Sequence, residues 1–568
     1  MRKLIVSFTA MLLSASPFSF AQLENWSVVS PLKTKTTLSG SFAELRRNHF
    51  HGGLDFRTPN GENTPIYAID KGYVSRITIS ARSYGKLVYI THPNGYMTLY
   101  AHLNGFVPKL DSIVKSKQYA KRSYEIDFTL DSNEYPVEKG EQFALSGNTG
   151  ASAGPHLHFE IRTTEEQYMQ NPLKLNKDFQ FVDDKKPRIF AVKLYGVNGG
   201  SINGSKEKRF NSVIVKGKGR KLQAANNIKA WGEIGFGVKA NDYMTGTSFT
   251  HTPRHLKVYA DGNVISDITI DNYKYSDTRA LNNFIDYSHQ AKTGEFFMRS
   301  FKDKNNPLDF YHGTTGLLEI NEERDYLLKY EVIDDFGNSD TIAFTIKGER
   351  HEPILESPKT GDKITAGEGY FYDKGDFLFH FPANAIYKDL YTDYKEKGGG
   401  RYFSSIYSIG NRETPLHTFC DISIKVKKDS SDLDVSKLFI AKLNENDLIY
   451  GSAGGKYTNG YMVGMTNTLG KFAVAEDRTP PVISSVHTKG LRGYPVLVFK
   501  IGDGLSGIAS YDGYIDNEWV LFEHDAKTHT IRYQIDTKKF EKGKSHSFKL
   551  VVKDYCGNTA TYSKTIFL

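Results

Sequence analysis

Cysteine is nearly missing from this chain: Cys420 and Cys556 are the only two among 568 residues. They lie far apart and no C-x-x-C pair occurs, which excludes a disulfide framework and a cysteine metal site; two buried free thiols are expected. Long apolar runs are missing too once the first 21 residues are passed, so no membrane-spanning segment and no stable membrane insertion are expected. Helical periodicity is scarce, and "NAIYKDLYTDYKEK" (384–397) is the one stretch that reads as a helix. Charge of either sign is not in strong surplus: the net charge is +8, and +6 without Arg2 and Lys3. So mild an excess gives no reason to expect a nucleic-acid partner.

What remains is long and rich in aromatics. A chain of 568 residues is too long for one core and implies roughly three to five domains. Aromatics at 13%, with 35 Tyr and 36 Phe, suit pleated surfaces and predict a mainly β protein. The start, "MRKLIVSFTAMLLSASPFSFAQ", has a basic head, an apolar run from Leu4 to Ala15 and small residues at Ser19 and Ala21. That pattern reads as a signal peptide over 1–21, too short to span, with export to the periplasm or the extracellular side of the envelope.

Three stretches, "DDKKPRI" (183–189), "ERHEPI" (349–354) and "DRTPPVI" (477–483), each set charges and proline before an apolar strand start. They divide the mature chain into units at 22–182, 183–348, 349–476 and 477–568. "VIDDFGNSDTIAFTI" (332–346) and "VKDYCGNTATYSKTI" (552–566) repeat one pattern, V-x-D-x-x-G-N-x-x-T-x-x-x-T-I. The repeat reads as the turn of a hairpin that closes a domain. The last three units are thus expected to be immunoglobulin-like β-sandwiches in a loose, pattern-level sense.

The chemistry-bearing residues cluster between 49 and 160. In "GPHLHFEI" (154–161) strand alternation sends His156 and His158 to one face, Leu157 and Phe159 to the other. Taken alone, such a pair is more often solvent-facing than functional. "HFHGGLDF" (49–56) sets His51 and Asp55 four apart, a metal-ligand spacing on a helix. Two interior glycines cost a helix ~1 kcal/mol each, and a straight strand would separate the pair by ~13 Å. A chain bent at Gly52 and Gly53, through backbone angles open to glycine, reconciles the spacing. Around an Asn-Gly turn, "NGYMTLYAHLNG" puts Tyr96, Thr98, Tyr100 and His102 on one strand face.

These motifs in this order, H-x-x-x-D, "YAHL" and "SGNTGASAGPHLHFE", resemble the lysostaphin/LytM-type zinc metallopeptidases that cut bacterial peptidoglycan. The resemblance covers about residues 40–175. It implies an antiparallel-sheet peptidase domain of the duplicated hybrid motif type and one Zn²⁺ per chain held by His51, Asp55 and His158. It further implies His156 as general base, His102 assisting it or stabilising charge at the scissile carbonyl, and a peptidoglycan peptide as partner. Three N/N/O ligands leave a zinc position open for water, as catalytic sites require. The segment "SKQYAKRSYEIDFTLDSNEY" (116–135) lengthens the connection from His102 to His156. It is expected to be an inserted hairpin near 114–136 that either walls the cleft or covers the metal.

Other signals are weaker. His49 lacks an Asp at i+4 and is not expected to ligate, and His92 beside its turn is expected at the surface. "GSAGGKYT" (451–458) is one residue short of a phosphate loop and reads as a glycine-rich turn. Two function classes follow from the resemblance: a zinc endopeptidase acting on peptidoglycan, or a non-catalytic envelope module that regulates another hydrolase. The second class is expected to have lost metal ligands, whereas all three stand here.

Overall fold

The computed structural model describes residues 23–215, 219–223, 227–313, 315–354, 360–427, 433–486 and 496–568. The expected signal peptide, 1–21, lies outside the described residues. Among those described, no helix is long and apolar enough to cross a membrane. Strand dominates, and every sheet in the N-terminal unit is antiparallel.

The N-terminal sheet runs Leu38–Gly40, Leu54–Arg57, His156–Thr163, Tyr96–Leu103, Lys86–Thr91, Gly72–Ile79 and Ile126–Thr129. Alternation sorts its faces. Leu54, Phe56, Leu157, Phe159 and Tyr100 point into one core, and Phe159 stacks edge-on against Phe56, Tyr100 and Phe179. The opposite face is free for polar groups, and there the site is built.

The expected hairpin near 114–136 is not one. Pro108–Lys121 is an α-helix, and Ile126–Thr129 and Pro136–Val137 both pair with Gly72–Ile79, not with each other. Proline at the helix start and buried Leu110, Val114 and Gln118 at spacings of four fix the helix. The segment lies at the sheet edge opposite the histidine-bearing strands.

The unit that follows is not separate from this core. One continuous apolar cluster runs from Leu23 to Ile346, and strand Tyr168–Gln170 pairs with Asn272–Lys274 across the boundary. Between 188 and 348 every strand except Asn272–Lys274 belongs to one twelve-stranded sheet, where a self-contained sandwich was expected. Residues 363–476 form two five-stranded sheets around their own core, and 482–567 form two four-stranded sheets around another. Both repeated motifs close antiparallel hairpins, Asp325–Ile333 with Ser339–Gly348 and Ser545–Asp554 with Thr559–Phe567. Stretch 384–397 is not helical; it carries two short strands, Leu390–Tyr391 and Lys395–Lys397. Its buried apolar residues serve different cores, Ala385 and Ile386 that of 363–476 and Tyr387 that of the preceding units, so no single helical face forms there. Cys420 and Cys556 are free and buried.

The chain end returns to the beginning. Trp519 packs edge-on against Tyr119, Arg122 donates to the Tyr514 hydroxyl at 3.1 Å, and Lys86 pairs with Glu523 at 3.0 Å. Lys527 donates to the carbonyls of Asn148 and Gly150, and a cavity of about 760 Å³ lies along this junction.

Phe159→Ala should cost about 3–5 kcal/mol of stability, the range for truncating a fully buried aromatic. Chemical denaturation followed by fluorescence measures it; a loss under about 1 kcal/mol would contradict the packing described.

Candidate metal centre

Register brings the donors together. Asp55 stands directly opposite His158 in the ladder between Leu54–Arg57 and His156–Thr163, on the face away from Leu54 and Phe56. His51 lies between the short strand His49–Phe50 and Leu54–Arg57, so the chain does turn between the two ligand candidates. The glycines serve a different purpose from the one expected. Neither Gly52 nor Gly53 has a positive φ. A Cβ on Gly53 would come within 2.0 Å of the Phe159 carbonyl oxygen, and one on Gly52 within 2.5 Å of Glu160 Oε1. Close approach to the histidine strand, not unusual torsion, demands glycine there.

His51 Nε2, His158 Nδ1 and Asp55 Oδ1 form a triangle with every edge 2.9 Å. The hydrogen bonds behind them decide what these atoms carry. His51 Nδ1 donates to the Ser41 carbonyl at 2.7 Å, and His158 Nε2 donates to Glu160 Oε1 at 2.8 Å. In neutral rings the two inner nitrogens are therefore lone pairs, and with the carboxylate three acceptors face one another. Such a triangle requires a cation or an additional proton. Two imidazole nitrogens and a carboxylate are a zinc donor set, and bonds of about 2.0–2.2 Å span this spacing. Residues and group fit.

A buried scaffold holds the donors. Glu160 takes a hydrogen bond from Tyr84 at 2.8 Å and pairs with Arg162 at 2.6 Å. Burial would raise the Glu160 carboxyl, but Arg162 and then His158 outweigh it and hold it far below its usual range. Burial likewise opposes ionised Asp55, yet His51, His156 and His158 keep it well below the ordinary value. Arg46 reaches its other oxygen, Oδ2, at 3.3 Å. Burial would lower His158, but Asp55 and Glu160 prevail and push it up to about 9. From the neighbouring unit, the Tyr273 hydroxyl donates to the His51 carbonyl at 3.2 Å.

His102 reaches the site by an irregularity. Simple alternation would leave it on one face with Thr98 and Tyr100, as the sequence suggested, and those two are buried in the core. The pairing with Lys86–Thr91 slips between Lys86 and Val88, giving Tyr96–Leu103 an extra residue. His102 has φ 57°, a left-handed conformation rare outside glycine. Bulge and torsion together re-aim the ring to the opposite face, 4.8 Å from His156 and 5.8 Å from His158 between centroids. Its Nδ1 donates to the Thr149 carbonyl and that of His156 to Gly154, each at 2.8 Å. Both Nε2 atoms are thereby left as proton acceptors, and His156 Nε2 stands 3.4 Å from Asp55 Oδ1. Burial first, then His158 and His156, push His102 down to about 3, so its ring is neutral.

All five expected residues converge. His49 is exposed and bonds only to the Arg47 carbonyl. His92 is not at the surface as expected: it is buried against Trp26, linking the Lys71 carbonyl to Thr98, and burial lowers it to about 4. Glu160, Tyr84, Arg162 and Thr149 were not singled out in the sequence. Glu160 and Arg162 were accessible to it, since both continue the His156–His158 face by alternation; Tyr84 and Thr149 are loop residues with no periodic signal.

Residues 49–126 match the family model described as Peptidase family M23, and 363–477 match that of a Zu5-like domain. An uncharacterized metalloprotease of Haemophilus influenzae is 35% identical over 137 residues, 23% of this chain and 24% of that one. Peptidoglycan DD-endopeptidase ShyA of Vibrio cholerae is 34% identical over 138 residues, 23% of this chain and 26% of that one. The chain thus spans about a quarter of the length of these relatives. The solved catalytic domain of lysostaphin from Staphylococcus simulans aligns at 21% identity over 25% of this chain and 92% of that chain, with a TM-score of 0.19.

Glu160→Gln should weaken zinc binding about 10–100-fold, the usual cost of losing a carboxylate behind a ligating histidine; competition with a chromophoric chelator reads it. Because His158 holds a proton up to about pH 9 without metal, zinc must displace it. Affinity should fall as pH drops below 9, and calorimetry in buffers of different ionisation enthalpy should record about one proton released at pH 7. No proton release would contradict the donor assignment.

Proposed function

From the Peptidase family M23 domain that residues 49–126 carry, we propose that this chain is an exported zinc metallo-endopeptidase. Its substrate is peptide in bacterial peptidoglycan, either stem peptides or cross-links, and its place is the periplasm or outer envelope. The observation that supports this most is the acceptor triangle of His51, Asp55 and His158 with two further imidazoles beside it. A structural metal site would have no use for the second pair.

Zinc bound there supplies Lewis acidity toward a substrate carbonyl and lowers the pKa of water to about 7. Asp55, His51 and His158 hold it, with Ser41, Glu160 and Arg46 fixing their orientation. His156 Nε2, the nearer free acceptor, takes the proton of the attacking water and returns it to the leaving amine. His102 assists; with its Nδ1 committed to Thr149 it accepts first and becomes a donor only once protonated. The intact ligand set argues for this enzyme over a non-catalytic regulator.

Purified protein incubated with cross-linked peptidoglycan should release peptide fragments, identified by mass spectrometry, and a chelator should stop it. His156→Ala should retain zinc and lose 10²–10⁴-fold in turnover, the usual worth of positioned proton transfer. His158→Ala should lose the metal. Full turnover by His156→Ala would remove the general-base role, and a zinc-loaded but inactive wild type would favour the regulator.

A further inference from the structure

The repeated motif that the peptidase leaves unexplained builds the same side-chain cluster twice. In "VIDDFGN" and "VKDYCGN" the first aspartates are Asp334 and Asp554. Each accepts on Oδ1 from the backbone N–H of the asparagine four residues on, Asn338 or Asn558, at 2.8 Å. Each accepts on Oδ2 from that asparagine's side-chain amide, again at 2.8 Å. The same amide donates to the carbonyl of an entry-linker aspartate, Asp183 at 3.3 Å or Asp477 at 2.9 Å.

A third aspartate completes each trio. "DYMTG" (242–246) begins in the last two residues of the strand Lys229–Tyr243, and "DGLSG" (503–507) follows the strand Val496–Gly502. Three residues after each of these aspartates, a backbone N–H binds the linker carboxylate: Thr245 to Asp183 at 2.9 Å, Ser506 to Asp477 at 3.1 Å. In both trios one carboxylate oxygen per residue lies within 4.8 Å of the others.

Acidic clusters alone signify little, but the first trio is not satisfied internally. Asp242 is only 7% exposed, joins its carboxylate to the trio, and has no hydrogen-bond partner on Oδ1. Among the described residues no lysine or arginine pairs with any of the six. Arg254 pairs with Asp271 and Asp335, Arg220 with Asp340, and Lys437 donates to the Cys556 carbonyl. Burial, then the Asp334 carboxylate, push Asp242 up to about 8. Ionising the whole trio calls for a cation.

We propose that Asp183, Asp242 and Asp334 form a calcium site. Donors that are all oxygen, with no imidazole or thiolate, select a hard cation. Calcium takes 6–8 oxygens at 2.3–2.6 Å in flexible geometry, whereas magnesium demands a tight octahedron. The ion fastens the linker that enters the β unit to two strand ends of that unit.

The full chain, stripped on chelating resin and reloaded with one equivalent of Zn²⁺, is dialysed to equilibrium against ⁴⁵Ca²⁺ in excess Mg²⁺. The wild type is expected to bind calcium, and Asp242→Asn to bind one ion fewer. Calcium should raise the wild-type melting temperature. Without calcium, Asp242→Asn should melt no lower than wild type, since the change removes repulsion; a carboxylate serving only as a structural acceptor would lower it. No calcium on the wild type, or an equal count on Asp242→Asn, overturns the proposal; Asp183→Asn, which should lose the same ion, gives the comparison if the first variant does not fold.

Discussion

The mutual approach of three acceptors governs the rest of the N-terminal unit. Two imidazole lone pairs and a carboxylate oxygen held 2.9 Å apart repel one another unless positive charge lies among them. The protein sustains that arrangement through groups behind the donors: the Ser41 carbonyl, the Glu160–Arg162 pair and Arg46. Each fixes a tautomer or an orientation while leaving the inner atoms bare. The glycines next to the site are the counterpart on the backbone, because only absent side chains let the His51 loop lie against the Phe159–Glu160 segment.

Much of this was legible in the sequence because it obeys a period. Alternation in "HLHFEIRT" alone places His156 and His158 opposite Leu157 and Phe159, and the structure keeps that division. His102 was found by its motif but assigned to the wrong face, because a one-residue bulge and a left-handed torsion leave no mark on hydrophobic pattern. The Pro108–Lys121 helix was hidden by a weak apolar stripe, and stretch 384–397 carried a helical pattern that its neighbours did not support. Sequence could set domain boundaries from proline and charge. It could not foresee that the second unit shares a core with the first, since that depends on which surfaces meet.

The two repeats illustrate a related limit. The pattern around Asp334 and Asp554 was plain as a hairpin closure, and both hairpins exist. Its partners, Asp183 with Asp242 and Asp477 with Asp503, come from distant segments and became visible only through matched hydrogen bonds. Local turn chemistry is written in neighbouring residues; a cluster drawn from a linker and two strand ends is not.

Contacts between the last unit and the first join residues separated by 379 positions, as in Lys527 with Asn148, and by 437, as in Lys86 with Glu523. Closing so long a loop is entropically slow, so this junction forms late in folding. The loop it grips holds Thr149, whose carbonyl orients His102. The amino-terminal loop that positions a site histidine is thus braced from the far end of the chain, and shortening that end would remove the brace and uncover more of the already exposed Tyr119.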